Sequence, residues 1–205
     1  KVLDRKGNGY SSDVLAGISW VLERKEQLGI RILNISVGAC SKRGMSENSA
    51  LVKGVNRAWD AGLVVVVAAG NNGPRTMSIT TPGISRKVIT VGCSDDDREV
   101  LVGGNRMVDY SGRGPTAACI CKPDLVAPGC SVVSCSSRAD KYTIKSGTSM
   151  STPIVSGAVA LLLERFPDMT NKDVKLRLRE SSVDIGLPRN QQGWGLLDVG
   201  KMIGK

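Results

Sequence analysis

Histidine is absent from all 205 residues, and aromatic residues make up only 3% of them. The first absence removes the side chain that most often serves as a general base and as a metal ligand at neutral pH. The second means that any core is built from Val, Ile, Leu and Ala, as in α/β proteins whose parallel strands are buried on both faces. No apolar run approaches the ~20 residues of a membrane-spanning helix, so no membrane partner is expected. The opening residues carry no secretory-signal pattern, and no repeat, low-complexity tract or linker divides the sequence.

The length suits one domain, or part of a somewhat larger one. Lys and Arg number 28 against 19 Asp and Glu, a formal charge of +9. The basic residues are scattered, with no basic arm and no stripe interleaved with aromatics. A solvated basic surface is therefore expected, and no nucleic acid. Six cysteines stand at 40, 93, 119, 121, 130 and 135. Cys119-x-Cys121 is not a zinc spacing, and without histidine the mixed ligand sets are unavailable, so no metal site is expected. Free, mostly buried thiols are the expectation, which leans towards a reducing compartment.

Apolar residues recur at helical spacing through Val14, Leu15, Ile18, Val21 and Leu22, behind Ser11, Ser12 and Asp13 as capping residues and ahead of Gly29 as a stop. Ile30 to Val37 reads as a strand ending at Gly38. Ser46 opens a second helix, with Leu51, Val52, Val55 and Trp59 on one face and Gly62 at its end. Leu63 to Ala69 is continuously apolar, as in a strand covered on both sides. Helix–strand units in succession predict a parallel sheet flanked by helices. Further strands are expected over Lys87 to Cys93 and around Ser131 to Cys135. Asp95, Asp96 and Asp97 read as a solvated acidic turn. A long helix begins near Ser149, where Pro153 is tolerated because it falls in the first turns. Thr170 and Asp173 cap one more helix. Lys1-Val2-Leu3 reads as the end of a β-strand that begins elsewhere.

The sharpest local feature is Ser146-Gly147-Thr148-Ser149-Met150-Ser151-Thr152-Pro153. A hydroxyl at the point where a loop becomes an apolar helix faces unpaired N–H groups and the positive end of the helix dipole, which favour developing negative charge. The same placement also suits an ordinary N-cap serine. A G-x-S-x-G elbow would require Gly at position 151, and an S-x-x-K pattern would require Lys at 152; neither is present. A second feature, Ala68-Ala69-Gly70-Asn71-Asn72-Gly73-Pro74, follows the apolar strand. Ligand sites of parallel sheets gather at the carboxyl ends of strands, and an Asn amide there can donate to an oxyanion, although Asn and Gly are also common turn residues.

In this order, Asn34-Ile35-Ser36-Val37-Gly38, Ala68-Ala69-Gly70-Asn71, Lys122-Pro123-Asp124-Leu125-Val126-Ala127-Pro128-Gly129, Gly147-Thr148-Ser149-Met150-Ser151-Thr152-Pro153 and Gly193-Trp194-Gly195-Leu196-Leu197-Asp198 resemble the landmarks of the subtilisin-like serine peptidases (subtilases). The resemblance runs from Lys1 to about Lys201. It implies an α/β fold, a mostly parallel sheet with helices on both faces, in which residues 1–205 form the C-terminal portion of one peptidase domain and the N-terminal strands are missing from this chain.

By the same resemblance, Ser149 is the nucleophile of a serine endopeptidase working through an acyl-enzyme, and the Asn71 side chain with the Ser149 N–H forms the oxyanion hole. Ser36, Val37 and Gly38 bind substrate backbone by strand addition, and Ala68, Ala69 and Gly70 line one wall of a roomy primary specificity pocket. The family's triad Asp and its His, in an H-G-T-H segment, have no counterpart here, and Ile154 replaces a histidine common after the motif's proline. The chain alone is therefore expected to be inactive or nearly so. A different class, a pseudoprotease or peptide-binding scaffold that keeps the cleft without the chemistry, is the alternative. Expected partners are a peptide or protein substrate, the missing N-terminal part of the domain, and a second copy through exposed strands. Calcium is frequent in the family, and Asp95 to Asp97 are its candidate ligands, although their spacing matches no self-sufficient loop.

Overall fold

Parallel strands buried on both faces need helices to cover them, and the chain supplies both in alternation. A computed structural model describes residues 1–4, 7–38, 47–137 and 141–204. Helix α1 (Ser11–Leu28) begins where the Asp13 carboxylate accepts from the Tyr10 N–H at 3.1 Å and ends on Gly29 in the left-handed conformation. It leads into β1 (Ile32–Ile35). Helix α2 (Ala50–Asp60) is capped by the Ser49 hydroxyl, which accepts from the Val52 N–H. Its expected start, Ser46, lies outside the described residues. Leu51, Val52, Val55 and Trp59 are buried as their spacing requires, and Ala58 joins them. Strands β2 (Val64–Ala68) and β3 (Ile89–Cys93) are buried at every residue.

After β3 the chain makes a short antiparallel hairpin, β4 (Val100–Val102) and β5 (Asn105–Met107), turning on Gly103-Gly104 with both glycines at positive φ. Strand β6 (Leu125–Ala127) returns to the sheet, and β7 (Val132–Cys135) pairs with β8 (Tyr142–Lys145) as a second antiparallel ribbon. Helices α3 (Thr148–Arg165), α4 (Asn171–Ser181), α5 (Arg189–Gln192) and α6 (Val199–Ile203) complete the order. In α4 the Thr170–Asp173 capping box is formed in both directions.

The main sheet has the order β1-β2-β3-β6, all parallel. Its far edge is extended by residues 195–197, where Gly195 O accepts from Val126 N and Leu197 N donates to Val126 O, each at 2.9 Å. Helix α3 packs across all four strands, while α2, backed by α1, packs on β2. One apolar cluster runs from Ile18 through Val65, Val67 and Ile89 to Leu162 and Met202. Parallel strands therefore end together, and the segments after β1 and β2 emerge on the same edge as the start of α3.

Three expectations change. Lys1–Leu3 is irregular and not a strand end; β1, the edge of the sheet, has β2 as its ladder partner. The strand expected around Ser131 to Cys135 is present as β7, in a ribbon, and β6 takes the fourth place in the sheet. The acidic turn is not solvated throughout: Asp96 is buried, because its carboxylate accepts from the Ser111 N–H at 2.7 Å, and Asp95 is half-buried against the Gly129 and Cys130 N–H groups. Cys93 is buried and Cys130 half-buried, but Cys119, Cys121 and Cys135 are exposed, so the described thiols are free without being mostly buried. Cys40 lies outside the described residues. Among the described residues, no helix is long and apolar enough to cross a membrane.

Candidate active site

Gly147 makes the junction between β8 and α3 at φ 138°, a conformation that side-chain-bearing residues rarely adopt. Its N–H donates to Gly129 O at 2.9 Å, which anchors the loop to the segment after β6. An added Cβ there would stand 3.2 Å from Asn71 Nδ2, so Gly147 also leaves room for the amide. Helix α3 then starts at Thr148, placing Ser149 in the first turn, where N–H groups have no intrahelical acceptor.

Asn71 follows β2 on the same edge and is tied to that turn from 77 residues away. Its Oδ1 accepts from both the Thr148 N–H and the Thr148 hydroxyl, each at 3.0 Å. The Thr148 Oγ1 in turn accepts from the Gly70 N–H at 3.1 Å. With Oδ1 engaged by two donors, the amide has one orientation, and its Nδ2 hydrogens face away from Thr148. Thr148, fully buried, therefore acts as the positioner of Asn71. It lies inside the nucleophile motif, yet its role depends on a contact that spacing along the chain does not reveal.

Ser149 is half-buried, and its hydroxyl donates to Ser36 O at 2.9 Å. The serine proton thus rests on a main-chain carbonyl of the extended segment after β1. Asn34 braces that segment: its Nδ2 donates to Ser36 Oγ, and its Oδ1 accepts from the Ser156 hydroxyl on α3. Val37 packs against the main core, and Gly38 is exposed. An open cavity of ≈ 650 Å³ borders Val37, Gly38, Asn71 and Pro82.

Ser36, Val37, Gly38, Gly70, Asn71 and Ser149 are thus brought to one edge of the sheet. Ala68 and Ala69 are placed differently. Both are buried, Ala69 O accepts from the Thr80 N–H at 2.8 Å, and neither borders that cavity. Of the three small residues, only Gly70 reaches the surface. Thr80 stands behind both segments: it would be 2.4 Å from a Cβ on Gly70 and 2.5 Å from one on Gly38. Thr80 therefore sets how closely the two segments approach, and nothing in the local sequence singles it out.

Calcium candidates Asp95 and Asp96 are engaged by backbone N–H groups, and burial pushes the Asp96 carboxyl above the usual carboxylate range. Another oxygen-rich cluster, at the carbonyls of Arg86, Lys87 and Val88, is filled by the Lys175 ammonium at 2.9–3.0 Å.

Residues 1–195 match the Subtilase family model. The chain is 38% identical over 199 residues to serine protease AprX of Bacillus subtilis (strain 168), an alignment covering 89% of this chain and 45% of that protein. It is 33% identical over 201 residues to subtilisin DY of Bacillus licheniformis, covering 97% and 65%. Among solved structures it superimposes on sphericase with a TM-score of 0.79 at 31% identity, covering 97% of this chain and 67% of that one. The chain thus spans between about half and two thirds of the relatives it matches. With the nucleophile motif at the start of α3, the asparagine after β2 and the parallel sheet between them, these likenesses show that the chain belongs to the subtilase family of serine peptidases.

Proposed function

We propose that this chain supplies the nucleophile and the oxyanion hole of a serine endopeptidase, and that the proton acceptor comes from residues outside it. The carrying observation is the double donation of Thr148 to Asn71 Oδ1, which turns the amide N–H₂ away from Thr148. In that reading, Ser149 Oγ attacks a peptide carbonyl and its proton passes to an imidazole. The charge that develops on the carbonyl oxygen is stabilised by Asn71 Nδ2 and the Ser149 N–H at the helix start. Ser36, Val37 and Gly38 hold the substrate backbone as an added strand. Ala68, Ala69 and Gly70, with Thr80 behind Gly70, form one wall of the primary pocket.

The acceptor of the Ser149 proton here is the Ser36 carbonyl, which is not a base. With no histidine in 205 residues, the chain alone is expected to acylate negligibly. An activated ester tests this: the isolated chain should give no burst, whereas protein that also carries the family's Asp and H-G-T-H segments should give one that disappears in Ser149→Ala. A burst from the isolated chain would overturn the reading. The absence of histidine equally favours a second reading, a pseudoprotease or peptide-binding scaffold. It stands if the natural protein holds no such segments, and falls if it does. The edge of β1 that has no ladder partner among the described residues is where a further strand, from the same domain or a second copy, would dock.

A further inference from the structure

Two sulfur atoms and two oxygen atoms converge beneath the segment that anchors Gly147, and the reaction proposed above uses none of them. Cys93 ends β3, and Cys130 lies just beyond β6, the neighbouring strand. The Cys93 and Cys130 sulfurs and an Asp95 carboxylate oxygen all lie within 4.8 Å of one another. The Tyr110 hydroxyl stands 3.2 Å from each sulfur, and Cys93 Sγ is 3.1 Å from Asp95 Oδ1. Cys93 and Tyr110 are fully buried, while Cys130 and Asp95 are half-exposed, which leaves a way in from solvent.

We propose that Cys93, Cys130 and Asp95, with the Tyr110 hydroxyl as fourth ligand, bind one zinc ion. The donor set decides the metal. Thiolates exclude calcium and magnesium, which take oxygen ligands only. Two thiolates and a carboxylate carry three negative charges; a divalent ion leaves one, a monovalent ion two. Two thiolates and two oxygens suit the tetrahedral preference of zinc, which asks for ~2.3 Å to sulfur and ~2.0 Å to oxygen and so sets sulfur and oxygen about 3.5 Å apart. The present S···O distances of 3.1–3.2 Å need only open slightly around the ion. The outer contacts are also in place, since the Gly129 and Cys130 N–H groups donate to Asp95 Oδ1 at 2.7 and 3.1 Å and hold the carboxylate against the sulfurs. On binding, the two thiol protons are released to solvent and the ion takes the position that the Cys93 S–H now holds towards Asp95.

The ion would fix the segment on which the start of α3 rests. Gly129 O accepts from Gly147 N and from the Tyr110 hydroxyl. A Cβ on Gly129 would be 2.8 Å from Cys93 Sγ and 2.3 Å from Ser151 Oγ, so this glycine is wedged between the cluster and the first turn of the nucleophile helix. Ser151 Oγ is buried there without a hydrogen-bond partner. The spacing 93, 95 and 130 matches no linear zinc motif, because the site is assembled across neighbouring strands.

Cobalt(II) titration of the intact reduced protein tests the proposal. The expected result is a thiolate-to-cobalt charge-transfer band with the visible bands of a tetrahedral ion, saturating at one equivalent relative to a C93S/C130S variant and abolished by zinc. Serine at Cys119, Cys121 and Cys135 together should leave that band in place. Because both thiols must deprotonate, affinity should fall by about a hundredfold for each unit of pH lost below their titration. Should the double variant not fold, X-ray absorption at the zinc edge of the unmodified protein replaces it, with two sulfur and two lighter neighbours expected. A sulfur-free first shell, a band that survives in C93S/C130S, or a Cys93–Cys130 disulfide in protein purified without oxidant would overturn the proposal. None of these outcomes bears on Ser149 or on its base.

Discussion

The two ends of the parallel sheet use buried polar groups in opposite ways. At the carboxyl end, after β1 and β2, the Asn71 amide is held by one atom and presents the other, and the Ser149 hydroxyl rests on a carbonyl that a substrate strand would lie beside. At the amino end, before β3 and β6, the polar groups close on one another. Lys122, buried, donates to Val88 O at 3.0 Å and to Asp124 Oδ2 at 2.5 Å, and the same carboxylate oxygen accepts from the Thr90 N–H at 2.7 Å. Lys175 reaches the other carboxylate oxygen at 3.5 Å while bonding the carbonyls of residues 86, 87 and 88, and it lies over the Trp59 and Trp194 rings. One end keeps hydrogen-bonding capacity for a ligand, as parallel sheets do at their carboxyl ends. The other fixes β3 against β6. The comparison makes a sharp demand: changes at the amino end should cost stability and spare the chemistry, whereas changes at the carboxyl end should do the reverse.

The largest effect is expected at the amino end. Asp124→Asn leaves the buried Lys122 ammonium without its countercharge, and breaking a buried pair by removing one partner typically costs about 3–5 kcal/mol. Urea unfolding of the intact protein measures it, with kcat of the folded fraction expected within twofold of wild type. A large drop in kcat with no loss of stability would break the division. At the carboxyl end, Asn71→Ala removes the amide proposed as an oxyanion donor. That loss typically costs about a hundred- to a thousand-fold in kcat, a range established on a member of this family, with KM and urea midpoint nearly unchanged. Thr148→Val sharpens the comparison further. It keeps the backbone N–H to Asn71 Oδ1 but removes the hydroxyl that donates to Oδ1 and accepts from Gly70 N. A loss of about tenfold in kcat is expected, the equivalent of one hydrogen bond, with recovery in Thr148→Ser. A KM effect alone would show that Thr148 shapes binding and not the oxyanion donor.

The asymmetry between the ends also explains what the sequence could reveal. Helices α1, α2 and α4 and strand β2 are legible because periodicity, capping residues and apolar runs are local. Strands β6 and β8 and the β4–β5 hairpin are not, since three or four residues carry too little pattern, although Gly103-Gly104 between Val102 and Asn105 is a two-residue turn signal. Ser149 and Asn71 stand out through motifs, but the Thr148 contact that orients Asn71 does not, being set by how β2 and α3 meet. Asp96 reads as part of a solvated turn because its partner, the Ser111 N–H, arrives from beyond any local window. Small residues are ambiguous for a related reason. Ala68 and Ala69 suggest an open pocket by size, yet size also suits a strand end packed beneath Thr80.

A further effect concerns Lys122 and separates a structural charge from a structural hydrogen bond. Burial pushes its ammonium down to about 8 from an ordinary 10.5, against the raising influence of Asp124 and with the help of nearby Lys175. Below pH 8 the folded and unfolded chains both hold the proton, and the full cost of burying the charge is present. Between about 8 and 10.5 the unfolded chain holds a proton that the folded chain has shed, so unfolding takes one up and stability rises with pH. Above 10.5 neither form is charged and the gain is complete. The neutral amine keeps N–H groups for Val88 O and Asp124, so shedding the proton leaves the lock between β3 and β6 intact. The difference in Tm between wild type and Lys122→Met, followed from pH 7 to pH 10.5, should therefore shift in favour of the wild type as pH rises. A difference that shifts the other way would mean that the ion pair itself holds this end together and that the ammonium, not the hydrogen bonds, joins the strands.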